Sequence, residues 1–185
     1  MPAATISPQH VVVLMLENRS FDHMLGYLSR ENPGIDGLSG RESNPLDVGQ
    51  PTARLTSVSD DAAYTGDFTR TLSSKDTAEV DPGHESQDVH SQVYARVGGQ
   101  VPAAPNNLGF VDNYRLQKNG SIELAPRVMK CFAPARVSVL ASLAREFAVC
   151  DRWFSSVPGP TWPNRLFVHA GTSDGQVVHK KKLYG

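Results

Sequence analysis

The sequence predicts an α/β protein with a largely parallel sheet, and three stretches carry that expectation. Val11–Leu16 is a short, unbroken, uncharged apolar run, the pattern of a strand buried on both faces of a parallel sheet. Residues 134–147 place Val137, Leu140, Ala144 and Phe147 on one helical face, with Pro134 suited to a first-turn position. That helix leads directly into FAVCDRWF, residues 147–154, which reads as a second core strand. A helix feeding a strand in this way fits a βαβ unit.

The first strand ends in Glu17-Asn18, and Ser20 introduces a helix with Phe21, Met24, Leu25 and Leu28 at helical spacing. Open α/β sheets place ligands where a buried strand ends and a helix begins. A carboxylate beside an amide oxygen offers two hard ligands to a divalent cation. The same residues also read as a solvated strand end and a helix cap, and the residues alone leave both readings standing.

Closely spaced turn signals follow: Asn32-Pro33-Gly34, Asp36-Gly37 and Asn44-Pro45. Residues 41–80 are rich in Ser, Thr, Asp and Gly, a loop-rich excursion with room for a short hairpin that no pattern locates. Asp81-Pro82-Gly83-His84 closes it. Val89, Val93 and Val97 then predict a helix from His84 to about Val97. His84 near that helix start can donate to an anion, although an exposed histidine after a tight turn is the simpler reading. Gly98-Gly99 and the proline-rich run to Pro105 break the chain before a short helix near Phe110.

The second chemical centre is SSVPGPTWPNRLFVHAGTS, residues 155–173. Val157-Pro158-Gly159-Pro160 is a rigid turn, and Pro163 begins a helix through Leu166, Phe167 and Ala170. Thr161 is thereby set at or just before a helix N-terminus, where unpaired N–H groups favour a phosphate. Taken alone, an ordinary N-cap role, worth about 1 kcal/mol, is the better reading of Thr161. Asn164 in the first turn is either a phosphate donor or a polar helix residue.

Composition narrows the field. The chain has 185 residues, 39% of them hydrophobic, which is enough for one domain with a core. A formal net charge of −1 gives no electrostatic case for nucleic acid. No apolar run approaches the ~20 residues of a membrane span, so contact with lipid is expected to be peripheral. The start, MPAATISPQH, lacks the basic region and apolar core of a secretion signal, and a cytoplasmic or peripheral location is expected over secretion. Cys131 and Cys150 lack metal-site spacing, and two free thiols are expected rather than a disulfide.

Taken together, VVVLMLENRSFDHMLGYL, DPGH, FAVCDRWFSSVPGPTWPNR and LFVHAGTS closely resemble the phosphoesterase family of bacterial and plant non-specific phospholipases C, related to an acid phosphatase. ENPGIDGLSGRESNP is similar to the equivalent loop of the plant enzymes, and the phospholipase C branch is the nearer match. The resemblance implies an alkaline-phosphatase-like sandwich, with a largely parallel sheet between helical layers. It implies that Glu17, Asn18 and Thr161 hold a divalent metal ion, that Thr161 is the nucleophile, and that Asn164 and His84 contact the substrate phosphate. The implied reaction is attack by Thr161 on a glycerophospholipid phosphodiester, giving diacylglycerol and a phosphorylated head group.

Members of that family carry a second acidic metal motif, an Asp-Glu or Asp-Asp pair before a glycine-rich segment, beyond the point this sequence reaches. The one adjacent acidic pair here, Asp60-Asp61, lies in the loop-rich excursion and does not match it. The expectation is therefore the N-terminal part of one catalytic domain, its sheet incomplete toward the C-terminus. Two alternatives stand beside a phospholipase C: a related phosphomonoesterase, against which Thr rather than Ser at 161 counts, and a catalytically inactive fragment.

Overall fold

The structure, a computed structural model, describes residues 9–16, 19–52, 55–62, 81–118 and 120–178. Glu17 and Asn18 lie outside the described residues, as does most of the second half of the loop-rich excursion. Among the described residues helices dominate, with one small sheet, an arrangement compatible with a mixed α/β class.

Helix α1 (Phe21–Leu25) starts where the sequence indicates: the Ser20 hydroxyl accepts the His23 N–H at 3.1 Å, satisfying a first-turn donor. It tightens into a 3-10 turn over Gly26–Arg30 that buries Tyr27 and Leu28. Gly26 and Gly37 then pass almost in contact. A Cβ on Gly37 would lie 2.4 Å from the Gly26 carbonyl oxygen, so only glycine fits there.

The excursion does contain a strand pair. Strands β1 (Ser43–Pro45) and β2 (Leu55–Ser57) are antiparallel, with Asn44 opposite Thr56. Asn44 is buried: its Nδ2 donates to the Asn107 carbonyl at 3.1 Å and its Oδ1 accepts the Phe110 N–H at 2.9 Å. One side chain thus joins the sheet to the start of helix α3 (Phe110–Leu116) and satisfies a helix N-terminus.

Helix α2 (Ser86–Val93) is shorter than the valine spacing predicts. Its ladder stops because Asn106 captures both backbone groups of Ala95, Oδ1 accepting its N–H at 3.1 Å and Nδ2 donating to its carbonyl at 2.9 Å. Gly98, at φ 61°, then turns the chain through a conformation that favours glycine. The main core gathers Tyr27, Leu38, Leu46, Val58, Val111, Ala125, Met129 and Cys131 where β1, β2 and α3 meet. Ala62, Phe132 and Val137 form a smaller cluster with Met24 packed on it.

The expected core strands are the main departure. Residues 11–16 form no strand, and Val12 is 91% exposed. Residues 147–154 form none either; Trp153 and Phe154 stand about four-fifths exposed. A strand exists only in a ladder that pairs its N–H and C=O groups. Among the described residues no strand pairs with either stretch, and the sheet is two-stranded and antiparallel rather than largely parallel. Residues 147–154 are held by polar contacts instead: the Asp151 carboxylate accepts the Asp36 N–H at 2.7 Å, and Arg152 reaches the Asp36 carboxylate at 2.9 Å.

Pro134 opens a 3-10 turn (Pro134–Val137) that continues into helix α4 (Ser138–Glu146), whose buried side is Val137 and Ala141 rather than Phe147. Helix α5 (Thr161–Ala170) ends at Gly171, whose φ of 69° is the left-handed C-terminal turn that glycine takes up without strain. Both cysteines are free, as expected. Among the described residues no helix is long and apolar enough to cross a membrane.

Candidate active site

Thr161 is the first residue of α5, and the cap position belongs to Pro160, whose extended backbone (φ −72°, ψ 176°) supplies no side-chain acceptor. The capping role open to Thr161 in the sequence is therefore filled by another residue. The residue is half-buried, and its hydroxyl makes no hydrogen bond among the described residues. Pro160 and Pro163, on either side, are among the largest fully buried side chains. Two buried pyrrolidine rings, each fixing its own φ, hold the threonine backbone in place. Pro163 has no N–H, so the unpaired donors of this helix start are those of Thr161 and Trp162.

Asn164 faces back into the turn. Its Oδ1 accepts the Val157 N–H at 2.9 Å, while Nδ2 donates to the carbonyls of Val157, Pro160 and Gly159 at 3.0, 3.0 and 3.3 Å. The amide is thus the internal brace of the Val157–Pro160 turn that delivers Thr161.

His84 follows an equally constrained turn. Its Nδ1 lies 3.0 Å from the Pro82 carbonyl and 3.7 Å from the Asp81 carboxylate. A carbonyl oxygen only accepts, so Nδ1 carries the hydrogen, and in the imidazolium both ring nitrogens donate. Gly83 is enclosed by side chains of α2 and α3. A Cβ there would stand 2.5 Å from the Asp88 Cγ, 2.5 Å from the Gln117 Nε2 and 2.6 Å from the Asn113 Oδ1.

Those side chains form one network. Asn113 Nδ2 donates to Asp88 at 2.9 Å and to the Ser91 hydroxyl at 3.0 Å. Gln92 Nε2 donates to the Asn113 Oδ1 at 2.9 Å and to the Gly83 carbonyl at 2.7 Å, and Gln117 donates to Asp88 at 3.1 Å. Asp88 also accepts the Glu85 N–H at 3.2 Å, closing the start of α2. An open groove of about 320 Å³ runs past this network, lined by Asp81, His84, Glu85, Gln117 and Lys118 among others.

The two turns meet. A Cβ on Gly159 would lie 2.8 Å from the Ser86 Oγ, which puts the turn before Thr161 against the first residue of α2, two beyond His84. The structure therefore brings the His84 and Thr161 segments together, whereas Glu17 and Asn18 lie outside the described residues. Among the described residues, no group of three or more His, Cys, Asp or Glu side chains is arranged to hold a metal. Sequence reasoning missed Asp88, Gln92, Asn113 and Gln117. Their signal was present: Asp88/Gln92 and Asn113/Gln117 are polar pairs at i,i+4, one turn apart on facing helices.

Other reactive side chains here are subdued. Burial pushes the Cys131 thiol up to about 11, with the Asp22 and Glu42 carboxylates adding to the effect, so it is an inert core thiol. Burial beside Phe132, reinforced by Arg19, lowers His23 to about 4.

Comparison with known proteins places the sequence in a family. The profile of the Phosphoesterase family matches residues 8–183. Non-specific phospholipase C6 of Arabidopsis thaliana is 45% identical over 173 residues, covering 93% of this chain and 29% of that protein. Non-specific phospholipase C1 of the same plant is 40% identical over 172 residues, and the non-hemolytic phospholipase C of Pseudomonas aeruginosa is 30% identical over 172. The chain spans less than a third of the length of these relatives. A match over nearly the whole chain, running through DPGH and the turn before Thr161, means that the chain belongs to the Phosphoesterase family.

Proposed function

We propose that this chain is the nucleophile-bearing part of a phospholipase C-type hydrolase, within an alkaline-phosphatase-like fold. The observation that carries the reading is Thr161 itself. Its hydroxyl is unclaimed among the described residues, at the first position of a ten-residue helix, between two buried prolines. Relatives named phospholipase C at 30–45% identity support the substrate class.

In this reading a phosphodiester of a glycerophospholipid sits over the start of α5. The N–H groups of Thr161 and Trp162 face its charge, where the helix dipole favours an anion. Thr161 Oγ1 gives up its proton to solvent and attacks phosphorus in line with the glycerol oxygen, and that P–O bond breaks. Diacylglycerol leaves with a proton taken up from solvent. Water then cleaves phospho-Thr161, restoring the hydroxyl and releasing the phosphorylated head group. His84 Nε2, in the imidazolium form, donates to a phosphate oxygen. Asn164 joins it by exchanging its longest bond, that to the Gly159 carbonyl, for a phosphate oxygen.

Glu17, Asn18 and Thr161 offer a carboxylate, an amide oxygen and a hydroxyl, hard donors of the type that suits a divalent cation. When bound, such an ion supplies Lewis-acid stabilisation and a lower pKa for a coordinated hydroxyl.

The test is hydrolysis of a short-chain phosphatidylcholine by the purified chain, with and without added divalent metal, alongside Thr161→Ala. Metal-dependent release of diacylglycerol, lost by roughly 10³-fold or more in the variant, is expected. Turnover that Thr161→Ala leaves unchanged overturns Thr161 as nucleophile. Hydrolysis of a simple phosphomonoester in preference to the lipid overturns the phospholipase reading, and a folded chain with no turnover at all overturns catalysis by this chain alone.

A further inference from the structure

We propose that Ser86 and Gly159 form the joint that keeps His84 and Thr161 in register, which makes Ser86 a positioning residue of the site. The proposal rests on the functional reading above for its consequence, and on contacts alone for its mechanics. Ser86 opens α2 two residues after His84, and Gly159 precedes Thr161 by two. A Cβ on Gly159 would stand 2.8 Å from the Ser86 Oγ, 3.4 Å from the Val177 carbonyl oxygen and 3.7 Å from the Ser86 nitrogen. Gly159 is not among the positive-φ residues, so the requirement for glycine is the close approach and not the backbone conformation.

The Ser86 hydroxyl cannot simply swing aside. It donates to the Val177 carbonyl at 3.1 Å, tying the start of α2 to the chain beyond α5. Three segments therefore converge on one oxygen: the turn before Thr161, the helix after His84 and the strap at Val177.

Both sides of the joint are stiff, so a displacement there is transmitted. On the Thr161 side, Asn164 braces the carbonyls of Val157, Gly159 and Pro160, and Pro160 is fully buried. On the His84 side, the ring is held to the Pro82 carbonyl and the turn is clamped at Gly83 by side chains of α2 and α3. A methyl pushed into the joint meets the Ser86 Oγ first, and that oxygen gives way only by leaving the Val177 carbonyl or by carrying the start of α2 with it.

The experiment follows the His84 ring ¹⁵N signals by NMR in the full chain, assigned by their loss in His84→Gln. Gly159→Ala is expected to shift them, and adding Ser86→Ala to the same chain to bring them to the positions of Ser86→Ala alone, because the clashing oxygen is gone. Signals unmoved by Gly159→Ala, or a double variant as perturbed as the single one, overturn the joint. Where Gly159→Ala does not fold, Ser86→Ala alone decides. Removing the tie to Val177 is expected to shift both the His84 ring and the Thr161 amide, and unmoved signals overturn the proposal.

Titration with inorganic phosphate separates the joint from the function. A wild-type chain that binds phosphate is expected to lose roughly tenfold or more in affinity in Gly159→Ala, since small misplacements at such sites are costly. A double variant that regains affinity supports the joint, and one that stays as weak as the single variant overturns it. Failure of phosphate to bind the wild type counts against the functional reading, while the ring signals still decide the joint.

Discussion

At the scale of single residues, the candidate site divides into side chains whose polar group is unclaimed among the described residues and side chains that hold turns. Thr161 is of the first kind. With the cap position held by Pro160, Thr161→Ala is expected to leave the unfolding free energy from chemical denaturation within about 0.5 kcal/mol of wild type. Asn164 is of the second kind as far as its present contacts go. Asn164→Ala removes the acceptor of the Val157 N–H and the donor to three carbonyls. A loss of roughly 1–3 kcal/mol in chemical denaturation is expected; a loss no larger than that of Thr161→Ala would contradict the brace.

Gly83 makes a parallel case. Gly83→Ala places a methyl within 2.6 Å of three network atoms, and overpacking of that sort costs about 1–3 kcal/mol. It is expected to lower Tm and to shift the His84 ring signals, as read by calorimetry and NMR. The DPGH pattern revealed a turn before a histidine. That the glycine is compulsory came from α3, far along the chain, closing over it.

At the scale of elements, local signals located helices well and strands poorly. Ser20 and Pro134 act where the sequence puts them, because helix starts depend on a few neighbouring residues. Helix α2 ended early because Asn106, in another segment, took the groups the next turn needed. The start of α1 also carries a pH dependence. His23 is held near 4, below the ordinary value of about 6.5, by burial first and by Arg19 second. The unfolded chain therefore binds the proton more readily. The contribution of His23 is complete above about pH 6.5 and is lost progressively as the pH falls toward 4. Urea midpoints measured from pH 7 to pH 4.5 are expected to fall, and to fall less in His23→Phe. Equal slopes in the two chains would remove His23 as the cause.

At the scale of the whole molecule, the apolar surface is the dominant feature. Residues 11–16 stand largely exposed, and so do Phe147, Trp153 and Phe154. An uncharged β-prone run in the open is a template for pairing with other chains. Val13→Lys is expected to raise the concentration at which light scattering detects self-association. An unchanged threshold would place the association elsewhere.

The sequence by itself determined the helices around their caps, the two turns that carry His84 and Thr161, and, through residue patterns spread along the chain, the family. These are short-range properties, written in a few adjacent residues. Only the tertiary structure decided that Asn164 braces a turn, that Gly83 is enclosed by Asp88, Asn113 and Gln117, and that Ser86 meets Gly159. Each joins residues distant in sequence, and a contact of that kind leaves no periodicity to read. The strands at 11–16 and 147–154 fall between the two. Their composition was legible, but a strand is a relation to a neighbour, and pairing is decided only by what lies alongside.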